Sequence, residues 1–229
     1  MPAEAAAAAA EAGPEEPPHD CPLCPRLVEY RRANRAAHPD WFNAPVPSWG
    51  PLDAPLLVAG MAPGVKGANR TGRPFTGDYA GVLLYETLLR FGLAEGAFEA
   101  RPDDTLRLRG CRVVNAVRCV PPANLPETAE VRTCNRFLQA ELRAMPGLRV
   151  VLALGVLAHG AVLRACGVPQ TRIRFRHGAV SELPGGVLLA DSYHVSRYNT
   201  NTGLLTREMF EAVVSDAVRR VEAGAPVPS

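Results

Sequence analysis

Residues 55–62 read PLLVAGMA, and residues 63–78, directly after them, read PGVKGANRTGRPFTGD. The first piece is apolar throughout with no polar face, which is the pattern of a strand covered on both sides. The second carries Gly64, Gly67, Gly72 and Gly77 with Pro63 and Pro74 among polar residues, so it reads as a long loop. A buried strand that empties into such a loop belongs to α/β sheet proteins, whose ligand sites lie beyond the carboxyl ends of the strands.

The rest of the chain fits around that unit. Cys111–Val117 (CRVVNAV), Val150–Leu154 (VVLAL) and Val187–Asp191 (VLLAD) are further short apolar runs and read as buried strands. Between them, Tyr79–Phe91, Val131–Met145 and Val156–Cys166 space apolar residues at three and four, as amphipathic helices do. A last helix is expected over about Thr206–Glu222, after Asn-Thr-Gly and before Gly224. Strand alternating with helix predicts an α/β fold in which helices cover both faces of a parallel sheet. One domain is expected over 21–223, after an Ala/Pro/Glu-rich tail at 1–20 and before a short flexible tail at 224–229. Three polar loops then converge on one sheet edge: 63–78, the end of the second strand with Asn115, and Ser192–Asn199 after the fourth.

With 229 residues, 47% of them hydrophobic, the chain is long enough for one good core, and no run reaches the ~18 apolar residues of a membrane span. The first twenty residues carry acidic groups and no basic n-region, so they do not read as a secretory signal, and a cytoplasmic location is expected. A net charge of +2 does not mark a nucleic-acid binder, although Lys66 is the only lysine and 24 of the 25 basic residues are arginine. Neither GxxxxGK[ST] nor GxGxxG occurs, which removes the usual nucleotide-binding signatures.

In a reducing compartment six cysteines point to metal or catalysis before disulfides. Cys21 and Cys24 form a CxxC pair, while Cys119 and Cys134 stand apart and alone. Zinc ribbons usually supply a second CxxC, and two separate single ligands fit the corners of an iron–sulfur cube better. Zinc and unligated thiols remain the other readings. Cys111, opening a strand, and Cys166, on an apolar helix, read as ordinary buried cysteines.

Taken together, Gly60-Met61-Ala62-Pro63-Gly64, Gly72-Arg73-Pro74-Phe75-Thr76-Gly77-Asp78, Asn115, the four spaced cysteines and His194-Val195-Ser196 resemble the family 5 (type b) uracil-DNA glycosylases. These are part of the uracil-DNA glycosylase superfamily, and the resemblance runs from about Cys21 to Arg220. It implies a three-layer fold on a four-stranded parallel sheet and a [4Fe–4S] cluster on Cys21, Cys24, Cys119 and Cys134. It also implies excision of uracil and other deaminated bases from DNA, in association with the nucleoid, as the opening step of base excision repair; a monomer is expected because one enzyme engages one lesion. Two departures stand out. The superfamily's other families carry a catalytic carboxylate in the first motif, where this chain has Met61 and Ala62; that absence is typical of family 5 and passes the acidic duty to Asp78. Val195 stands where proline usually follows the histidine, which leaves that loop less constrained.

The implied site has Asp78, Asn115 and His194 as its catalytic groups. Gly60, Ala62, Pro63, Gly64, Phe75, Ser196 and Asn199 would contact substrate. Phe75 would stack on an extruded base, against a reading as a core residue. Asn115 offers a donor and an acceptor to uracil's imide N–H and adjacent carbonyl, against a structural strand asparagine. His194 would donate to uracil O2 as negative charge builds there. Asp78 would orient water or steady the sugar cation, against a reading as the N-cap of the next helix. Ser196, Arg197 and Asn199 would meet the DNA backbone, and Tyr198 would fill the vacated stack. His177 is placed at a phosphate or in a turn; His19, His38 and His159 have bland surface or helix readings. With Lys66 as the only side-chain amine, a monofunctional enzyme is expected. A tyrosine that excludes thymine's methyl in other uracil enzymes is replaced by Gly64, so larger lesions such as hypoxanthine, xanthine and etheno-cytosine are expected to fit. The rival from another class is an iron–sulfur protein that binds or regulates DNA without cutting it.

Overall fold

The computed structural model describes residues 13–224. Its centre is a five-stranded sheet of β1 (Leu56–Gly60), β4 (Cys111–Asn115), β5 (Val150–Leu154), β6 (Val180–Glu182) and β7 (Leu188–Ser192), in the order β4-β1-β5-β7-β6. The four strands expected from the apolar runs are the parallel ones. The fifth, β6, is an antiparallel edge strand that pairs Val180–Glu182 with Leu188–Ala190. Its three residues are half-buried or exposed, so it lacks the apolar signature that marks the other four. A separate two-residue ladder, β2 (Ala94–Glu95) against β3 (Arg107–Leu108), closes the insertion before β4.

Strand side chains alternate between two cores. On one face Leu56, Val58, Val113, Leu152 and Ala190 meet α3 (Tyr79–Arg90) and α7 (Arg207–Ala223) through Leu84, Leu88, Phe210 and Val214. On the other, Leu57, Ala59, Val114, Val151 and Leu189 meet α4 (Thr128–Arg143) and α5 (Val156–Ala165) through Leu138, Ala158 and Val162. Every residue of the four parallel strands is buried, as a sheet covered by helices on both faces requires. At the start of α4, Glu127 and Glu130 form a reciprocal capping box.

Besides two helices of four and five residues, Ala68–Thr71 and Arg197–Asn201, one long helix lacks a sequence signal. Pro25–Ala37 (PRLVEYRRANRAA) forms α1, which buries only Leu27, Arg31 and Asn34 and so shows little apolar periodicity. Leu27 sits in a third small core with Val117, Cys119, Cys134 and Phe137. Burying one leucine is worth about 2 kcal/mol, so polar ties must also hold α1: Arg26 bridges to Glu130 at 2.7 Å. The expected tail is not free along its whole described part. Glu16 pairs with the buried Arg118 at 3.0 Å, and Glu15 with Arg136 at 2.8 Å. Residues 1–12 and 225–229 of the expected tails lie outside the described residues.

Candidate active site

The carboxyl ends of β1, β4, β5 and β7 open into a cleft of about 760 Å³. After β1 the chain runs through Met61–Ala68, including the short turn of α2 (Ala68–Thr71), and returns at Phe75 and Asp78. Asn115 ends β4, Leu154–Leu157 join β5 to α5, and His194, Ser196, Arg197 and Asn199 follow β7 into α6 (Arg197–Asn201). The parallel register sets Asn115 directly beside Gly60. A Cβ on Gly60 would lie 2.5 Å from Phe75 Cζ and 2.6 Å from Asn115 Oδ1. The missing side chain therefore makes the floor on which both groups sit. Phe75 is buried at a φ of +51°, an unusual backbone state for an aromatic residue and a sign of a loop held by its surroundings.

The hold on that loop is a buried ion pair absent from the sequence reading. Arg73 makes two 2.7 Å bonds to Asp104 and donates to Thr76 Oγ1 at 2.8 Å. Its guanidinium lies 4.7 Å from the Trp49 ring centroid. Tyr85 adds a 2.5 Å bond from its hydroxyl to the Pro74 carbonyl. Burial raises the Asp104 carboxyl, but the bonds from Arg73 and from the Glu99 and Leu106 amides outweigh it and hold the pKa down at about 2.

Three polar side chains reach the cleft, each with hydrogen-bonding capacity left free. Asn115 is 3% exposed, and neither its amide nor the His194 ring hydrogen-bonds to another side chain or backbone group among the described residues. Asp78 stands at the N-cap position of α3 but makes no capping bond, and its Oδ1 is buried without a partner. Its Oδ2 packs against the 64–67 turn, where a Cβ on Gly64 would approach to 2.7 Å and one on Gly67 closer still. Gly64 therefore makes room for the carboxylate at the cleft wall. Burial pushes the Asp78 carboxyl upward, against the pull of the Ala80 and Gly81 amides and of Arg70. Burial lowers the His194 pKa, which keeps the imidazole neutral around pH 7. The His194 and Phe75 rings lie 6.2 Å apart, tilted by 32°.

Other expected positions fall in place differently. Ala62, Pro63 and Gly64 line the cleft, while Gly60 lies beneath it. Ser196 caps α6 by accepting from the Asn199 amide, and Asn199 Nδ2 donates to the His194 carbonyl at 2.8 Å. Both thus fix the backbone that carries the histidine. Val195 is fully buried, so packing anchors the loop where proline was expected. Tyr198 is 73% exposed beside the cleft. His177 accepts from the Tyr193 amide at 3.1 Å and stacks on the Tyr193 ring, the turn role. His159 is not bland: it is buried, with Nδ1 2.8 Å from Asp191 and Nε2 3.1 Å from the Ile173 carbonyl. Lys66 borders the cleft from an exposed position. Sequence reasoning missed Asn124 and Leu154–Val156 as lining. Asn124 follows Ala123 in a tight turn with both φ near +55°, a turn that the Pro121-Pro122 pair alone hints at.

Cys21, Cys24, Cys119 and Cys134 line one apolar pocket with Leu27, Val117 and Phe137. No three His, Cys, Asp or Glu side chains among the described residues come close enough to share a single ion. An iron–sulfur cube needs its thiolates further apart than one zinc ion does, and an apolar wall with N–H donors suits it. Arg31 donates to Cys119 Sγ at 3.5 Å and the Arg118 amide to Cys134 Sγ at 3.4 Å. Cys111 is buried elsewhere and donates to the Leu93 carbonyl, and Cys166 lies half-buried on the second core.

Comparison with known proteins gives a consistent picture. A family model described as the uracil DNA glycosylase superfamily matches residues 47–218. A type-5 uracil-DNA glycosylase of Thermus thermophilus is 48% identical over 206 residues, covering 87% of this chain and 93% of that protein. One from Mycobacterium leprae is 42% identical, covering 86% and 90%, and one from Pyrobaculum aerophilum is 40% identical, covering 90% and 89%.

Proposed function

The chain belongs to the uracil DNA glycosylase superfamily, and from that premise we propose that it is a monofunctional DNA glycosylase for uracil and larger deaminated bases. The observation that carries this reading is the meeting of Asn115, His194 and Asp78 at one cleft floored by Phe75 and Gly60, with the Asn115 amide, the His194 ring and Asp78 Oδ1 all unpaired among the described residues. Buried polar groups are ordinarily paired; a buried asparagine and two half-buried ionisable groups with free capacity in one opening suit a ligand.

Extruding the target nucleotide costs a few kcal/mol. Stacking of the base on Phe75 returns roughly 1–3 kcal/mol of that, and the Asn115 amide pairs with the imide edge of uracil. As the N-glycosidic bond lengthens, negative charge collects on the base. A neutral His194 donates its ring N–H to O2 at that stage, in a dry setting where such a bond is strong. The sugar becomes cationic at the same time. The Asp78 carboxylate, with one oxygen unsatisfied, steadies that cation or aligns water for attack. Gly64 brings no side chain to the cleft wall where other uracil enzymes carry a tyrosine, which supports acceptance of hypoxanthine, xanthine and etheno-cytosine.

Cys21, Cys24, Cys119 and Cys134 would hold a [4Fe–4S] cluster that ties α1 to the segment after β4, a structural role. The test is incubation with an oligonucleotide bearing one uracil, followed by alkali. Alkali-dependent scission is expected, and an adduct trapped by borohydride would instead put Lys66 at the sugar carbon. Strict uracil specificity across the lesion panel would refute the wider substrate range.

A further inference from the structure

Residues 172–177 read RIRFRH, and their exposure alternates: Arg172, Arg174 and Arg176 are exposed, while Ile173, Phe175 and His177 are half-buried. The inward set is anchored at the carboxyl edge of the sheet. The Ile173 carbonyl meets His159 Nε2 at 3.1 Å, the Phe175 ring packs 5.7 Å from His159 and 6.1 Å from Tyr193, and His177 stacks on Tyr193. The Arg176 amide also points to Asp191 Oδ2 at 3.4 Å. Tyr193 directly precedes His194, so the segment leans on the strand end that carries the histidine.

The outward set is left unpaired. None of the three guanidinium groups makes an ion pair or side-chain hydrogen bond with another described residue. The carboxylate touching the segment, Asp191, is buried on His159 and unavailable to them. Arginine is the side chain that matches phosphate oxygens by paired donors. Four residues of chain span at most about 14 Å, the axial rise of about four phosphates on one strand. Lys66 and Arg197 border the cleft itself and add further positive charge there.

We propose that Arg172, Arg174 and Arg176 form a strip that grips consecutive phosphates of the DNA backbone flanking the lesion. This rests on the glycosylase reading for its choice of DNA as partner. The strip supplies affinity without sequence readout, and the buried His159–Asp191 pair becomes its anchor.

The test compares Arg172→Gln/Arg174→Gln/Arg176→Gln with the native protein and with Arg32→Gln/Arg143→Gln/Arg219→Gln, which removes the same charge from exposed positions elsewhere. Affinity for an undamaged fluorescent duplex is measured against salt concentration, and uracil excision at saturating enzyme is measured separately. Loss of three phosphate contacts lowers the slope of log affinity against log salt by about 2 to 3. The expected outcome is that loss in the strip variant alone, with the saturated excision rate unchanged. An unchanged slope, an equal fall in the control variant, or no measurable duplex binding by the native protein overturns the strip. Binding is read on undamaged DNA, so a failure to excise any base would sink the glycosylase reading and leave this result standing by itself.

Discussion

Replacing Gly60 with alanine tests how closely the proposed base-recognition groups, Phe75 and Asn115, are built onto the sheet. The new Cβ would sit 2.5 Å from Phe75 Cζ and 2.6 Å from Asn115 Oδ1, where ordinary contacts are about 3.5–4.0 Å. The strand cannot retreat, because β1 is paired to β4 on one side and β5 on the other. The ring and the amide must therefore each move by about 1 Å, a displacement that costs on the order of 100-fold in rate when it misaligns a reacting partner. That corresponds to about 2.7 kcal/mol of lost transition-state stabilisation, alongside about 1–3 kcal/mol of folding stability from overpacking. Single-turnover excision of uracil from a duplex, run beside a thermal melt, separates the two effects. Gly13→Ala, at a position with nothing within 4 Å, controls for the substitution itself. A Gly60→Ala protein that stays folded and excises within a few-fold of the native rate would refute the placement of Phe75 and Asn115 around the base.

Asp78→Asn is expected to lower excision by roughly 100-fold or more while leaving the melting temperature equal or higher. The sign follows from burial: a carboxyl whose folded pKa is raised loses stability as pH climbs from its unfolded value through the raised one, and the amide removes that loss. A clear drop in melting temperature at neutral pH would contradict it. His194→Ala is expected to cost about 100- to 1,000-fold in excision at saturating enzyme, with duplex binding little changed; equal losses in both would assign the histidine to binding. Asp104→Ala leaves Arg73 buried and unpaired, which costs about 3–5 kcal/mol at neutral pH. Because the Asp104 pKa is held at about 2, that contribution is present above the ordinary 3.8 and fades as pH falls toward 2, so denaturation midpoints of native and variant proteins should converge in acid. A pH-independent gap would mean that the pair is not ionised.

The parts of this fold that announce themselves are local in origin. An all-apolar pentamer such as Val150–Leu154 has only one comfortable place, and the strand occupies those same residues. Amphipathic helices such as Tyr79–Arg90 follow for the same reason, since their period is written in consecutive residues. The polar α1 and the three-residue β6 carry no such period, and each exists because of a partner far along the chain. The cleft repeats this division. Asn115, His194 and Asp78 stand at strand ends and loop turns that the sequence marks, whereas the Arg73–Asp104 clamp joins residues 31 apart that nothing local connects. Likewise, nothing local to Asn199 reveals that its side-chain amide donates back to the His194 carbonyl.

That last bond makes the short helix α6 a latch with two working ends. One end, through Ser196 and Asn199, clasps the backbone of His194; the other presents Tyr198 and Arg197 outward, toward whatever lies across the mouth. Five residues are too few to absorb a displacement internally. Pressure on the outer face is therefore transmitted to the histidine, and slack at the clasp is felt by the outer face. Under the proposed roles, docking and leaving-group stabilisation share a single mechanical element, so substitutions within α6 should change KM and kcat together.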